Sequence, residues 1–489
     1  MPRAADRPRA ELLAAERGEV RSAFGRLGVA LVFPNSYHVG MSNLAVHALY
    51  RLINAHPEFW CDRAFVWPDG RPVTLETGRA LADFDVIALS LSYELDEIAA
   101  VELLERAGVA PLAAERDERA PLIVCGGVAA TLNPEPMAPI ADLLLLGEGE
   151  ETLPRLLDAI AGARDRSDLA GARRAEGDPF SIAAQSIEGC YVPAQMAVPP
   201  APACVIDLDS HPTTSVIVTP HTEFADRFLI EISRGCTRAC RFCATRGLYG
   251  RARMRSTGAI LDAVRGGMAL TQQVGLVGAT IVDHPDAERL YSELLAMGAK
   301  VSVSSFQADG VSDALLECLA AGGQRTVTIA PETGSEHLRR TLGKGVTDAD
   351  VVRCAEMSKR HGMRFVKLYF MLGLPGETDE DLAAIAKLVE RTAGVLPTKV
   401  TLTPFVPKRF TPLADAAVLA KPELQRRLRE LARRLRRLRN VAVTTGSVGE
   451  AQIETWLSQA GREAAAVLIE GRDAVRAEAT RSCRRRPAR

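Results

Sequence analysis

The chain reads as an α/β protein: an N-terminal Rossmann-like parallel-sheet domain, a (β/α)6 partial barrel, and a short helical C-terminal extension. Three observations carry this. Short, wholly apolar runs alternate with helix-like stretches, the pattern of parallel strands covered on both faces. The alternation breaks once, from about Gly162 to Phe224, and then resumes. A loop with three cysteines follows the first strand of the second block, where chemistry sits at the carboxyl ends of barrel strands.

Taken in order, 1–27 is a leading segment and 28–160 the first domain. Val29-Ala-Leu-Val-Phe33 is a short buried strand, followed by Pro34-Asn-Ser36 and a helix from about Met41 to Ile53. Val86–Leu91, Leu122–Cys125 and Leu143–Leu146 are three further strands, the last two closing at Gly126-Gly127 and at Gly147-Glu-Gly-Glu150. Ligands of such sheets lie outside the carboxyl ends of the strands, which here carry Asn35, Ser90, Gly126, Gly127 and Gly147. Residues 161–224, with Pro193–Pro202 rich in proline, read as a linker with a few short strands.

The second domain spans 225–420. Its strands are Phe228–Ser233, Leu276–Val282, Val301–Ser305, Thr326–Ala330, Arg364–Met371 and Lys399–Pro404, with helices such as Asp286–Met297 and Asp348–His361 between them. Residues 421–489 form a basic extension. In its first part Leu424, Leu428, Leu431, Leu435 and Leu438 repeat at helical steps.

The run Ile232-Ser-Arg-Gly-Cys-Thr-Arg-Ala-Cys-Arg-Phe-Cys-Ala244 places Cys236, Cys240 and Cys243 in one short loop. A [4Fe–4S] cube needs four ligands, so three thiolates leave one iron open to a substrate or cosubstrate. Zinc would want a fourth Cys or His close by, and none follows. Disulfide frameworks suit small secreted chains. The seven other cysteines show no paired spacing and read as small buried hydrophobes, Cys483 in the basic tail excepted.

Apolar residues make up 47% of the chain and charged ones 25%, as in ordinary globular proteins. No apolar run approaches the roughly 20 residues of a membrane span, and no secretory signal is visible, so a cytoplasmic location is expected. Net charge is −1, but Lys421–Asn440 carries nine Lys or Arg against Glu423 and Glu430, and Arg481–Arg489 adds five arginines. The leucine stripe predicts a solvated basic face on a helix packed against the body; nucleic acid or another polyanion is the alternative partner.

From about Gly28 to Glu470 the chain resembles the B12-binding-domain-containing radical S-adenosylmethionine (SAM) proteins. The resemblance rests on the cysteine loop, on Phe33-Pro-Asn-Ser-Tyr-His-Val-Gly-Met-Ser-Asn-Leu44, on Ser90-Leu-Ser-Tyr-Glu94, and on Gly126-Gly-Val-Ala-Ala-Thr131 with Asn133-Pro-Glu135. Gly147-Glu-Gly-Glu-Glu151, Ala330-Pro-Glu-Thr-Gly-Ser-Glu336, Lys367–Glu377 and Phe405-Val-Pro-Lys408 complete it. It implies a [4Fe–4S] cluster on the three cysteines, SAM on the open iron, and an external one-electron reductant of flavodoxin or ferredoxin type. It further implies cobalamin at Asn35, Ser90, Gly126, Gly127, Thr131 and Gly147. SAM contacts are implied at Phe242, Glu332, Thr333, Ser335 and Gly373; packing for Phe242, and a helix N-cap by Thr333 or Ser335, stand beside that reading. The implied activity is a cobalamin-dependent radical SAM methyltransferase that works through a 5′-deoxyadenosyl radical on an unactivated centre. A non-methylating radical reaction, and an RNA- or ribosome-associated protein, are the alternatives.

Two departures matter. The Gly-Gly-Glu that often follows the second barrel strand in this superfamily is replaced by Val282-Asp-His284. The corrinoid motif Asp-x-His-x-x-Gly is also missing: Asn35-Ser-Tyr-His-Val-Gly40 has no Asp and its His at another offset. His38 is therefore expected to be an ordinary loop residue rather than a ligand to cobalt.

Overall fold

The structure is a computed structural model and describes residues 7–18, 25–163, 165–173, 177–279 and 281–485. Parts of the 1–27 segment and the last four residues of the arginine-rich tail lie outside the described residues. The chain divides into two units, Met1–Phe228 with Leu457–Glu478, and Leu229–Trp456 with Ala479–Arg489. Among the described residues no helix is long and apolar enough to cross a membrane.

The first unit is built on six strands: β1 (Leu27–Val32), β2 (Phe59–Ala64), β3 (Val86–Ser90), β4 (Leu122–Gly126), β5 (Leu143–Leu145) and β6 (Cys190–Tyr191). They lie in the order β2-β1-β3-β4-β5-β6, with β1 to β5 parallel and β6 antiparallel to β5. The four strands expected from apolar runs are present. The extra edge strand β2 is masked in the sequence by Asp62 and Arg63, both buried. Asp62 accepts from the Thr74 hydroxyl at 2.9 Å, while Arg63 pairs with Glu16 and Glu76, each at 2.7 Å. The helix expected from about Met41 to Ile53 runs Leu44–Ala55, capped by the Asn43 side chain, which accepts from Ala45 N–H.

Two boundaries differ from expectation. Residues 161–224, expected to be a linker with a few short strands, do contribute the short strand β6 and a parallel bridge of Ala203 to Gly147, but they also contain the helices Arg166–Leu169 and Pro179–Gln185. The C-terminal extension is split, because Leu457–Glu478 belongs with the first unit. The reason lies in motif residues that the sequence flags for other roles. The Asn133 amide donates to the carbonyls of Leu457 (2.6 Å) and Ala460 (2.9 Å), Ser458 donates to Glu94 (2.7 Å), and Arg462 pairs with Glu135 (3.1 Å). Buried polar groups with such partners hold a segment firmly.

The second unit carries β7 (Phe228–Glu231), a short hairpin of β8 (Ser233–Arg234) and β9 (Arg253–Met254), then β10 (Gln273–Val277), β11 (Lys300–Val303), β12 (Thr326–Glu332), β13 (Phe365–Leu372), β14 (Thr398–Pro404) and β15 (Val441–Thr445). Five of the six expected strands occur close to their expected spans; the one expected at Leu276–Val282 lies earlier, at Gln273–Val277, and Ile281–Asp283 is a 3₁₀ turn. β15 adds a further strand. They form two sheets, β11-β10-β7 and β12-β13-β14-β15. The Phe306 N–H, just after β11, reaches the Thr328 carbonyl of β12 at 3.2 Å. On β13 the alternate residues Val366, Leu368, Phe370 and Leu372 are fully buried, and the residues between them are part-exposed. The basic helix runs Lys421–Leu435 with Leu424, Leu428, Leu431 and Leu435 buried, as the stripe predicts.

Candidate active site

The cysteine loop begins where β8 leaves the second unit's first strand. Gly235 has φ +80°, and a Cβ there would lie 2.6 Å from the Arg251 carbonyl, so only glycine fits this turn. Glu231 anchors the base of the loop through Arg234 (2.7 Å) and Arg255 (3.1 Å). Arg241 N–H donates to the Leu342 carbonyl at 2.8 Å, tying the loop to the turn after the helix Glu336–Thr341. All three cysteines are part-exposed. Burial pushes the Cys236 and Cys240 thiols up; the Arg238 N–H, 3.4 Å from Cys236 Sγ, and the Lys344 ammonium near Cys240 act in the opposite direction.

The thiols open on a cavity of about 300 Å³, whose wall includes Phe242, Gln307, Glu332 and Lys344. Glu332 is a non-glycine residue at φ +71°, just past a register shift between β12 and β13. Strain of this kind persists only where surrounding structure enforces it. Its carboxylate pairs with Lys344 at 3.2 Å, each side chain 15% exposed; burial raises the Glu332 carboxyl and Lys344 opposes this. Gln307 donates through Nε2 to the Ala279 carbonyl at 2.8 Å. A carbonyl can only accept, so the amide orientation is fixed, and Oε1 is left buried without a partner among the described residues.

Of the residues expected to meet SAM, Phe242 and Glu332 line this cavity. Phe242 also packs against the cluster of Leu338, Leu342, Leu374 and Phe405, as its packing reading expects. Thr333 differs from expectation. It is fully buried, its carbonyl accepting from Arg339 at 2.8 Å, and it does not reach the cavity wall. Ser335 is the N-cap of Glu336–Thr341, accepting from Leu338 N–H at 3.0 Å. Gly373, at φ +85°, is also off the wall; its N–H donates to Glu377 at 2.8 Å. Burial raises Glu377 to about 7 against the pull of that N–H and of Arg427, 3.4 Å away. Lys344, Gln307 and Arg238 also line the cavity; Arg238 lies within the cysteine run, and Lys344 is marked in the sequence by its flanking glycines, Gly343-Lys-Gly345.

The chemistry of the donor set fits a cluster. Among the described residues no three Cys, His, Asp or Glu side chains gather around one point as a single metal ion requires. A cube instead takes each thiolate on a separate iron. For SAM, an orphaned acceptor on Gln307 and a strained carboxylate on Glu332 supply what an ammonium or ribose hydroxyls seek.

The first unit's strand ends behave differently. Gly127 is at φ +102°, and a Cβ there would lie 2.4 Å from the Leu91 carbonyl; at Gly147 it would lie 2.2 Å from the Ala203 carbonyl. The Thr131 hydroxyl donates to the Gly127 carbonyl and accepts from Gly147 N–H, both at 2.9 Å. Asn35 donates to Asp96 at 3.3 Å, Ser90 is buried, and Gly126 is part-exposed. His38 rests on the His221 carbonyl and Glu223 at 3.2 and 3.4 Å. Gly127, Thr131 and Gly147 thus brace the edge itself.

Residues 230–389 match the family model described as the radical SAM superfamily, and residues 45–193 that described as the N-terminal region of radical SAM proteins. The second unit therefore carries a radical SAM domain. The chain is 27% identical over 388 residues to the uncharacterized protein MJ0966 of Methanocaldococcus jannaschii, covering 78% of each. Among solved structures it resembles the radical SAM methyltransferase TsrM from Kitasatospora setae, with a TM-score of 0.52, 14% identity, and coverage of 79% of this chain and 75% of that one. It also resembles the cobalamin-dependent SAM radical enzyme OxsB with aqua-cobalamin bound, with a TM-score of 0.53, 16% identity, and coverage of 76% of this chain and 53% of OxsB. At these identities the likeness concerns the fold alone.

Proposed function

We propose that the chain is a radical SAM enzyme that holds a [4Fe–4S] cluster on Cys236, Cys240 and Cys243, takes SAM in the adjoining cavity, and transfers a methyl group to an unactivated centre. The observation that carries this reading is the three-thiol loop opening on a cavity walled by Phe242, Gln307 and the Glu332–Lys344 pair. Bound there, cluster and SAM supply one-electron cleavage of a sulfonium, with the electron coming from an external flavodoxin- or ferredoxin-type reductant. Glu332 and Gln307 accept from SAM's ammonium or ribose hydroxyls. Lys344 neutralises Glu332 while SAM is absent, and Phe242 offers an apolar face beside the third cysteine. Methyl transfer is supported by the fold shared with TsrM, and a cobalamin partner by that shared with OxsB.

A second reading, radical chemistry without methyl transfer from cobalamin, is favoured by one observation: Gly127, Thr131 and Gly147 are committed to the edge's own backbone. Anaerobic reconstitution followed by product analysis separates the two. S-adenosylhomocysteine together with 5′-deoxyadenosine, and corrinoid retained by the chain, supports the first. Deoxyadenosine alone with no corrinoid uptake supports the second, and neither product from reduced protein overturns both.

A further inference from the structure

Between the first two cysteines, Arg238 is gripped from two directions. Nη1 lies 2.8 Å from Asp309 Oδ2, and Nη2 lies 3.4 Å from Asp283 Oδ1. The neighbouring Thr237 hydroxyl donates to Asp283 as well. These carboxylates sit in separate 3₁₀ turns, Ile281–Asp283 after β10 and Ala308–Gly310 after β11. Arg238 is about one-third exposed and lines the cavity.

We propose that Asp283, Arg238 and Asp309 form a charge clamp that positions the cysteine loop and sets how readily the cluster is reduced; this rests on the cluster reading above. A guanidinium held by two carboxylates has its plane and place fixed. Its backbone N–H is thereby aimed at Cys236 Sγ, 3.4 Å away. The clamp gives Asp283, in the run Val282-Asp-His284, a role at the loop. One cation and two anions leave a net negative charge beside the thiolates, and among the described residues Asp309 Oδ1 is buried without a partner to offset it. In a part-buried setting such charges act more strongly than in water. Reduction adds an electron to the cluster, so each carboxylate opposes it and Arg238 favours it.

The two charges make opposite predictions, which a purely structural role would not. In full-length protein reconstituted anaerobically, EPR-monitored redox titration of Arg238→Gln should shift the midpoint to more negative potential. Asp309→Asn, which keeps an acceptor for Arg238, should shift it to more positive potential. Each shift is expected to be about tenfold in the reduced-to-oxidised ratio at fixed potential, about 59 mV for one electron. If Arg238→Gln fails to retain iron, Asp309→Asn alone decides. A full cluster with an unchanged or more negative midpoint in Asp309→Asn overturns the clamp and leaves the functional reading standing. Wild-type protein that assembles no cluster overturns both.

Discussion

The two units end their sheets in similar language, glycines and small polar residues after apolar strands, yet they use it in opposite ways. After β4 and β5 of the first unit the glycines are filled by the chain's own backbone: Leu91 presses on Gly127 and Ala203 on Gly147. Asn133 and Glu94 meanwhile hold residues 457–460. In the second unit the strand ends leave a cavity, a strained carboxylate and an orphaned acceptor. A glycine motif shows that something approaches the backbone closely and is silent on whether that is a ligand or the protein. Three clustered thiols carry far less ambiguity.

The sharpest way to break the contrast is to remove the thiols. Replacing Cys236, Cys240 and Cys243 together with alanine should abolish iron retention and SAM cleavage completely and leave the thermal unfolding of the first unit unchanged; retention of full iron would sink the assignment. Next is Gly127→Ala. Its φ of +102° and the 2.4 Å approach to Leu91 should cost about 4 kcal/mol of first-unit stability. The iron–sulfur spectrum should stay intact. Denaturation in urea with both probes checks this, and a stable variant would mean that the edge is looser than its contacts indicate.

Glu377 gives a pH test within the second unit. Its carboxyl is raised to about 7, so between roughly pH 4.5 and 7 the folded state binds a proton that the unfolded state has lost. Stability should therefore fall as pH rises through that window, by about 3 kcal/mol. Glu377→Gln should flatten the profile and raise the melting temperature at pH 8. An unchanged profile would show that Arg427 and Gly373 fully compensate the burial. The smallest effect belongs to the basic helix, where Arg429, Arg433 and Arg436 are exposed. Changing all three to Gln should alter stability by less than about 0.5 kcal/mol. Loss of substrate affinity together with its salt dependence would instead mark this face as a polyanion contact.

How much of this was legible in the sequence varies with the physics. Apolar runs mark β1, β3, β4 and β5 of the first unit, and the leucine stripe marks the helix Lys421–Leu435. β2 was hidden because buried Asp62 and Arg63 interrupt its apolar pattern, their charges satisfied by residues distant in sequence. The return of Leu457–Glu478 to the first unit was hidden for a related reason: it depends on Asn133, Glu94 and Glu135, which look functional in isolation. Among site residues, the cysteines, Phe242 and Glu332 could be named from spacing and resemblance. Lys344 and Gln307 could not, since they reach the cavity from turns whose convergence only the fold supplies. Thr333, next to Glu332 in sequence, is fully buried and is not part of the cavity wall, a difference that its residue type alone does not reveal.

The most direct test of the central claim is the EPR spectrum of the reduced, reconstituted protein before and after adding SAM. Three protein thiolates leave one iron open, so about four irons per chain should be found, and SAM should change the g-values of the reduced cluster as it binds that iron. A fully loaded cluster whose spectrum is indifferent to saturating SAM would contradict the account.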